Sequence, residues 1–252
     1  MTQVDEQTHI LNFLLGNVLG GKGTFVDVGA LDGIRHSNTA ILEDKGWTGI
    51  CIEAHPDYAQ LLKQNRPRSV CLHCAVGDSN KDSVTFYANH AGSLSSLLDY
   101  REEFEKSPEF SSHYSGNLDK PVKKKNNQTS GIEAVSGPIE VPMRTLDNII
   151  SEFYTGRPID FVKIDIEGSE KLALPGFNPN TWGVQVISVE HLIVGKPFIA
   201  EWAKRHGYHG FSDTGLDYIL TAPNITPAIR NAYTNLDVVQ QLQLASSGAY
   251  IP

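Results

Sequence analysis

The chain has 252 residues, 40% hydrophobic and 20% charged, with a formal net charge of -8, a balance that suits a soluble globular protein and disfavours a broad phosphate-binding face. No apolar run approaches the ~20 residues a membrane-spanning helix needs, and the opening MTQVDEQTH lacks the basic and then apolar start of a secretory signal. Neither nucleic acid nor membrane is an expected partner, and cytoplasmic residence is the default.

Residues Ile10 to Leu19 place leucines at helical spacings and read as a leading helix, stopped by Gly20-Gly21-Lys22-Gly23. Thr24 to Val28 reads as a first strand, followed by a glycine turn and a helical stretch from about Ser37 to Lys45. Gly49 to Glu53 reads as a second strand, with Pro56 in the first turn of the next helix. Ser69 to Val76 reads as a third strand. Cys51, Cys71 and Cys74 sit in these strand-like runs, and alternation would turn Cys74 away from Cys71 and His73, against a metal cluster. From about 90 to 138 the texture turns to Ser, Asn, Gly and Lys with scattered aromatics, and reads as a lid-like insertion. Strand character returns at Ile139 to Met143, followed by a helix near Leu146 to Phe153 and a strand at Asp160 to Ile166. Val184 to Val189 reads as a strand, Pro197 to His206 as a helix and Leu216 to Leu220 as a late strand. A polar tail follows Pro223. The alternation predicts a single α/β domain over 1–252 (core about 24–220), a doubly wound, mostly parallel sheet with helices on both faces.

In such a sheet ligands bind beyond the carboxyl ends of the strands, where strand order reverses. The first strand ends in Asp27-Val28-Gly29-Ala30-Leu31-Asp32-Gly33. An acid two residues before the first glycine would repel a pyrophosphate and attract an ammonium. Glu53 ends the second strand at the spacing of a ribose-binding acid, though it could instead cap the helix after Pro56. A nucleoside carrying an amino acid fits both acids, whereas NAD fits only the second, and the turn lacks the central glycine of G-x-G-x-x-G. Period two puts Lys163, Asp165 and Glu167 on one side of the fourth strand, so they are either an internal ion-pair network or active-site groups. Glu190 and His191 end the fifth strand, and His191 is a candidate general base. Two schemes stand side by side. In one, Asp165, Glu190 and His191 bind Mg or Mn; in the other, Lys163 neutralises an acid and Glu167 or His191 acts as a simple base.

These segments resemble the FkbM family of S-adenosylmethionine-dependent methyltransferases over about Thr24 to Leu220. The pattern D-x-G-A-x-x-G-x-x-S is met by Asp27, Gly29, Ala30, Gly33 and, one position late, Ser37. Glu53-Ala54-His55-Pro56, Ala75-Val76-Gly77-Asp78, Ser93 to Leu97, Arg144-Thr145-Leu146-Asp147 and Lys163 to Glu170 carry the rest. The resemblance implies a class I, Rossmann-like methyltransferase with S-adenosylmethionine as cofactor. Asp27, Gly29, Ala30, Gly33 and Ser37 would hold its methionine part, Glu53 its ribose, and Ala75, Val76 and Asp78 its adenine edge. Asp165, Glu167 and His191 would be the catalytic candidates. It further implies O-methylation, with a hydroxyl of a sugar, glycan or small metabolite as acceptor. The competing readings are RNA ribose or cap methylation, for which only Lys123 to Lys125 offers a basic run, and a binding module that has lost the chemistry.

Overall fold

The computed structural model describes residues 10–90, 93–100, 122–125, 133–153, 156–246 and 249–250. Its strands are β1 (Thr24–Val28), β2 (Thr48–Glu53), β3 (Val70–His73), β4 (Ala75–Val76), β5 (Lys81–Ala88), β6 (Val122–Lys125), β7 (Glu133–Arg144), β8 (Phe161–Ile164), β9 (Val186–Glu190), β10 (His209–Asp213) and β11 (Asp217–Thr221). Seven form one sheet in the order β10-β11-β9-β8-β1-β2-β3. The pairs from β9 across to β3 are parallel, and β11 is antiparallel to both neighbours. This is the doubly wound, Rossmann-like sheet expected from the sequence. Every residue of β8 and β9 is buried, because helices cover parallel strands on both faces.

Alternation divides the core in two. Val26, Val28, Val162, Ile164, Ile187 and Val189 pack with Ile149, Ile150 and Trp202 from helices Leu146–Phe153 and Lys196–Arg205. On the other face Phe25, Cys51, Phe161 and Val186 meet Phe13, Leu14 and Ile229. The leading helix, Asn12–Val18, is π-helical. Strand order reverses at β1, so the carboxyl ends of β1 and its two neighbours open onto one crevice.

Several elements differ from the sequence reading. The third strand breaks at Cys74, which leaves β3 in the large sheet and sends β4 into a second sheet of order β4-β7-β5. As alternation predicts, Cys74 and Cys71 pack into opposite cores. The expected insertion overlaps β7, a 12-residue strand whose Gly137 and Pro138 disguise it as loop. Lys123 to Lys125 lie in β6, paired with β7. The rest of the lid-like stretch, 91–92, 101–121 and 126–132, falls outside the described residues. The tail contains helices Thr226–Thr234 and Val238–Ser246, each burying a single residue, Ile229 and Leu244, which explains why it reads as polar.

Candidate functional site

The register places the chemistry. Asp27 pairs with Cys51 on one side and Lys163 on the other, and Lys163 lies opposite Ser188. Residues directly opposite one another share a face. Period two adds Glu53 beyond Cys51 and Glu190 beyond Ser188, and antiparallel pairing sets Asp217 against Glu190. Asp27, Glu53, Lys163, Glu190 and Asp217 therefore all line one cavity of about 570 Å³, a volume within the usual range for small-molecule sites.

On the β1–β2 side, Gly29 has φ +85, and a Cβ there would stand 1.8 Å from the Asp165 carbonyl oxygen. Only glycine allows the β1 turn to pass so close to the end of β8. The turn aims the Leu31 N–H at Glu53 Oε2 (2.8 Å), while the His55 N–H donates to Oε1 (2.7 Å). Burial pushes the Glu53 carboxyl up to about 7 despite these donors. Asp27 is also raised by burial, and it accepts the Thr39 hydroxyl. Ala54, Ala75, Val76 and Phe86 form an apolar wall beyond Glu53.

Of the residues expected here, Asp27, Gly29, Ala30, Ser37, Glu53, Ala75 and Val76 line the cavity; Gly33 and Asp78 do not. Gly33 serves packing, since a Cβ there would meet Arg66 and Leu62. Asp78 is exposed and accepts the Ser79 hydroxyl. Ser37 Oγ accepts the N–H groups of Thr39 and Ala40 (3.3 and 3.1 Å), ordering the start of helix Ala40–Asp44.

On the other side of β1, the Lys163 ammonium meets Asp217 Oδ1 at 2.6 Å and Asp165 Oδ2 at 3.2 Å. Its pKa is raised: Asp165 and Asp217 outweigh a burial that alone would lower it. Glu167 also lines the cavity, through a left-handed backbone (φ 55) past the end of β8 instead of by strand alternation. It accepts the Leu94 N–H, and burial together with Asp165 pushes it up to about 8. The segment carrying Leu94 is tied to this turn by Ser169 Oγ, which bonds Ser96 Oγ (2.8 Å) and the Leu97 N–H (2.9 Å). Ser93, Ser95 and Leu97 thereby enter the cavity wall.

The expected metal trio of Asp165, Glu190 and His191 is not brought together. His191 Nε2 lies 3.0 Å from Asp213 Oδ1 and is absent from the cavity wall. Its place at a strand end is as expected, but the side chain faces the β10 end, where Lys196 also meets Asp213. Among the described residues no three His, Cys, Asp or Glu side chains are grouped to hold a metal ion. Lys163 supplies the local positive charge instead. The sequence reading does not single out Thr39, Ser188 or Asp217; Asp217 falls within the late strand there, and only the antiparallel register sets it against Glu190.

The model of the methyltransferase FkbM domain matches residues 27–214. The chain belongs to the FkbM methyltransferase family. S-adenosylmethionine-dependent methyl transfer is the chemistry that membership brings. No curated protein matches the chain. Among solved structures, this FkbM chain is similar to a TehB-like SAM-dependent methyltransferase from Corynebacterium glutamicum (12% identity, 79% of this chain and 80% of that one, TM-score 0.37). It is also similar to a fibrillarin pre-rRNA processing protein from Methanococcus jannaschii (10%, 80% and 66%, 0.38). A third likeness is to an O-methyltransferase from Bacillus cereus in complex with SAH (12%, 85% and 79%, 0.36). The family match, not these likenesses, carries the assignment.

Proposed function

We propose that the protein transfers the methyl group of S-adenosylmethionine to a hydroxyl of a sugar or small hydroxylated metabolite. The observation that carries this reading is the pair Asp27 and Glu53 on one face of one cavity, with the apolar wall of Ala75, Val76 and Phe86 beyond them. The donor set suits the cofactor: Asp27 for an ammonium, Glu53 for a ribose diol, the apolar wall for an adenine ring. The bound cofactor supplies an electrophilic methyl carbon on a sulfonium.

With the nucleoside half spread toward β2 and β4, the acceptor half falls to β8, β9 and β11. A cofactor held there would supply the methyl group to the acceptor oxygen, and the hydroxyl proton that the oxygen gives up would pass to a carboxylate. Glu167 takes that proton in this scheme, since a base works best with a pKa near the working pH. Asp165 orients the hydroxyl, and Lys163 fixes Asp165 in place. The reading is tested by incubating the purified protein with methyl-labelled S-adenosylmethionine and a panel of sugars, glycans and hydroxylated metabolites. Label in an ether methyl supports it; label only on nitrogen, carbon or RNA contradicts it.

A further inference from the structure

The proposed acceptor half of the cavity gathers more carboxyls than cations: among the described residues Asp165, Glu167, Glu190 and Asp217 line it, against one ammonium, Lys163. Lys163 is already engaged by Asp217 and Asp165, and Asp217 also accepts the Ser188 hydroxyl at 3.1 Å. The cavity's guanidinium, Arg35, belongs to the β1 turn and pairs with Asp32. Glu190 differs from the other acids. It is only 9% exposed, it lines the cavity, and its buried Oε2 has no hydrogen-bond partner among the described residues.

Register puts this carboxyl directly opposite Asp217 on the adjacent strand, a pairing of like charges that is unfavourable without a cation between or beside them. A buried carboxyl without a partner is costly in a folded protein. Burial and the neighbouring acids push Glu190 up to about 11, so the carboxyl is held protonated until a cation seats beside it and draws it back to a carboxylate. The cofactor's sulfonium would offset one of the excess charges at the methyl end of the cavity. Glu190, at the end of β9 and two strands from the β1 turn, shares Lys163 with Asp165 and Asp217 and would still have no partner for Oε2. A neutral sugar hydroxyl could bond Oε2 but would not relieve the repulsion. A divalent metal needs several converging donors, and no such group is present among the described residues.

We propose that the acceptor carries a protonated amine that seats against Glu190 and Asp217, beside the hydroxyl that is methylated. The substrate class is thus an amino sugar or amino alcohol. The ammonium has no free electron pair, so it is recognised and not itself methylated. This inference rests on the proposed function in placing the acceptor on the β8–β9–β11 side.

Calorimetric titrations test it, with 2-amino-2-deoxyglucose, 2-amino-2-deoxygalactose and 2-aminocyclohexanol each run beside the analogue bearing hydroxyl in place of the amine. They are performed with and without S-adenosylhomocysteine, so that failure of the cofactor reading and failure of the amine preference appear in separate measurements. At least one amine should bind about tenfold or more tighter than its hydroxyl analogue, since close buried charge pairs couple by at least that much. Glu190→Gln, which keeps the shape of the side chain, should reduce that preference to roughly threefold or less. The proposal is overturned if no amine binds, if every hydroxyl analogue binds as well as its amine, or if the preference survives Glu190→Gln. Displacement of a bound amine by stoichiometric magnesium or manganese would likewise overturn it in favour of a metal. The wild-type comparison decides the matter even if the variant fails to fold.

Discussion

Replacing Glu53 by Gln should weaken the cofactor's hold while making the empty protein more stable. The carboxylate already accepts the N–H groups of Leu31 and His55, and it lines the cavity where the proposed cofactor's ribose hydroxyls would meet it. A carboxamide keeps one acceptor oxygen. The loss is therefore about one charge-assisted hydrogen bond, roughly 1.5–3 kcal/mol, or about ten- to a hundredfold in Kd for S-adenosylhomocysteine.

Stability moves the other way. Burial raises the folded carboxyl from 4.5 to about 7. Below pH 4.5 both folded and unfolded forms are protonated and nothing is lost, whereas above pH 7 both are ionised and the folded state bears the full cost, on the order of 3 kcal/mol. The wild type should lose that stability between these limits and Glu53→Gln should not. At pH 8 the variant gains up to about 3 kcal/mol, less about 1 kcal/mol for the backbone N–H the carboxamide cannot accept. Urea unfolding at pH 5 and pH 8, paired with calorimetric titration of S-adenosylhomocysteine, reads both effects. Unchanged Kd in the folded variant, or the same stability difference from wild type at both pH values, would refute the reasoning.

Gly29→Ala should lower the melting temperature by roughly 6–12 °C, equivalent to about 3 kcal/mol or more for a chain of this size; the added Cβ would overlap the Asp165 carbonyl oxygen, and a shift within about 2 °C would contradict the close approach. Lys163→Met leaves Asp217 and Asp165 without their ammonium and should cost about 3–5 kcal/mol in denaturant unfolding. Because the lysine's pKa is raised above its ordinary 10.5, its contribution is fully present below pH 10 and this loss should be flat from pH 6 to 9. Glu167→Gln should lower turnover by about 10²–10⁴-fold, with the wild-type rate rising with pH through about 8 as the carboxyl ionises. His191→Ala, whose ring faces Asp213 and not the cavity, should change turnover by less than about threefold. Full activity in excess chelator is expected, and activity restored by magnesium or manganese would contradict a site in which Lys163 supplies the charge.

Strand-end acids were legible because position and period suffice to find them: Asp27 and Glu53 follow from the βα rhythm, and Lys163 with Asp165 from alternation. Glu167 reached the cavity for another reason, a left-handed residue that no pattern announces. Residues that depend on long-range register stayed hidden. Asp217 faces Glu190 only because β11 runs antiparallel to β9, and Thr39 meets Asp27 only after the β1 turn folds back. His191 does not line the cavity, since proximity in sequence to the sheet edge says nothing about which way a side chain leaves it. Asp78 lies outside it for a similar reason: β4 departs into the second sheet and carries the residues after it to the surface. β5 and the first half of β7 stay hidden because Gly137, Pro138 and a largely exposed β5 erase the alternation, while Ile139 to Met143 reads as strand.

The central claim is that Asp27 and Glu53 together select a nucleoside bearing an amino acid. It is tested most directly by titrating the purified protein with S-adenosylmethionine and with NAD, side by side in one calorimeter buffer. The account predicts saturable one-site binding of S-adenosylmethionine and no measurable heat from NAD. NAD binding as tight as or tighter than S-adenosylmethionine, or no binding of S-adenosylmethionine at all, would contradict it.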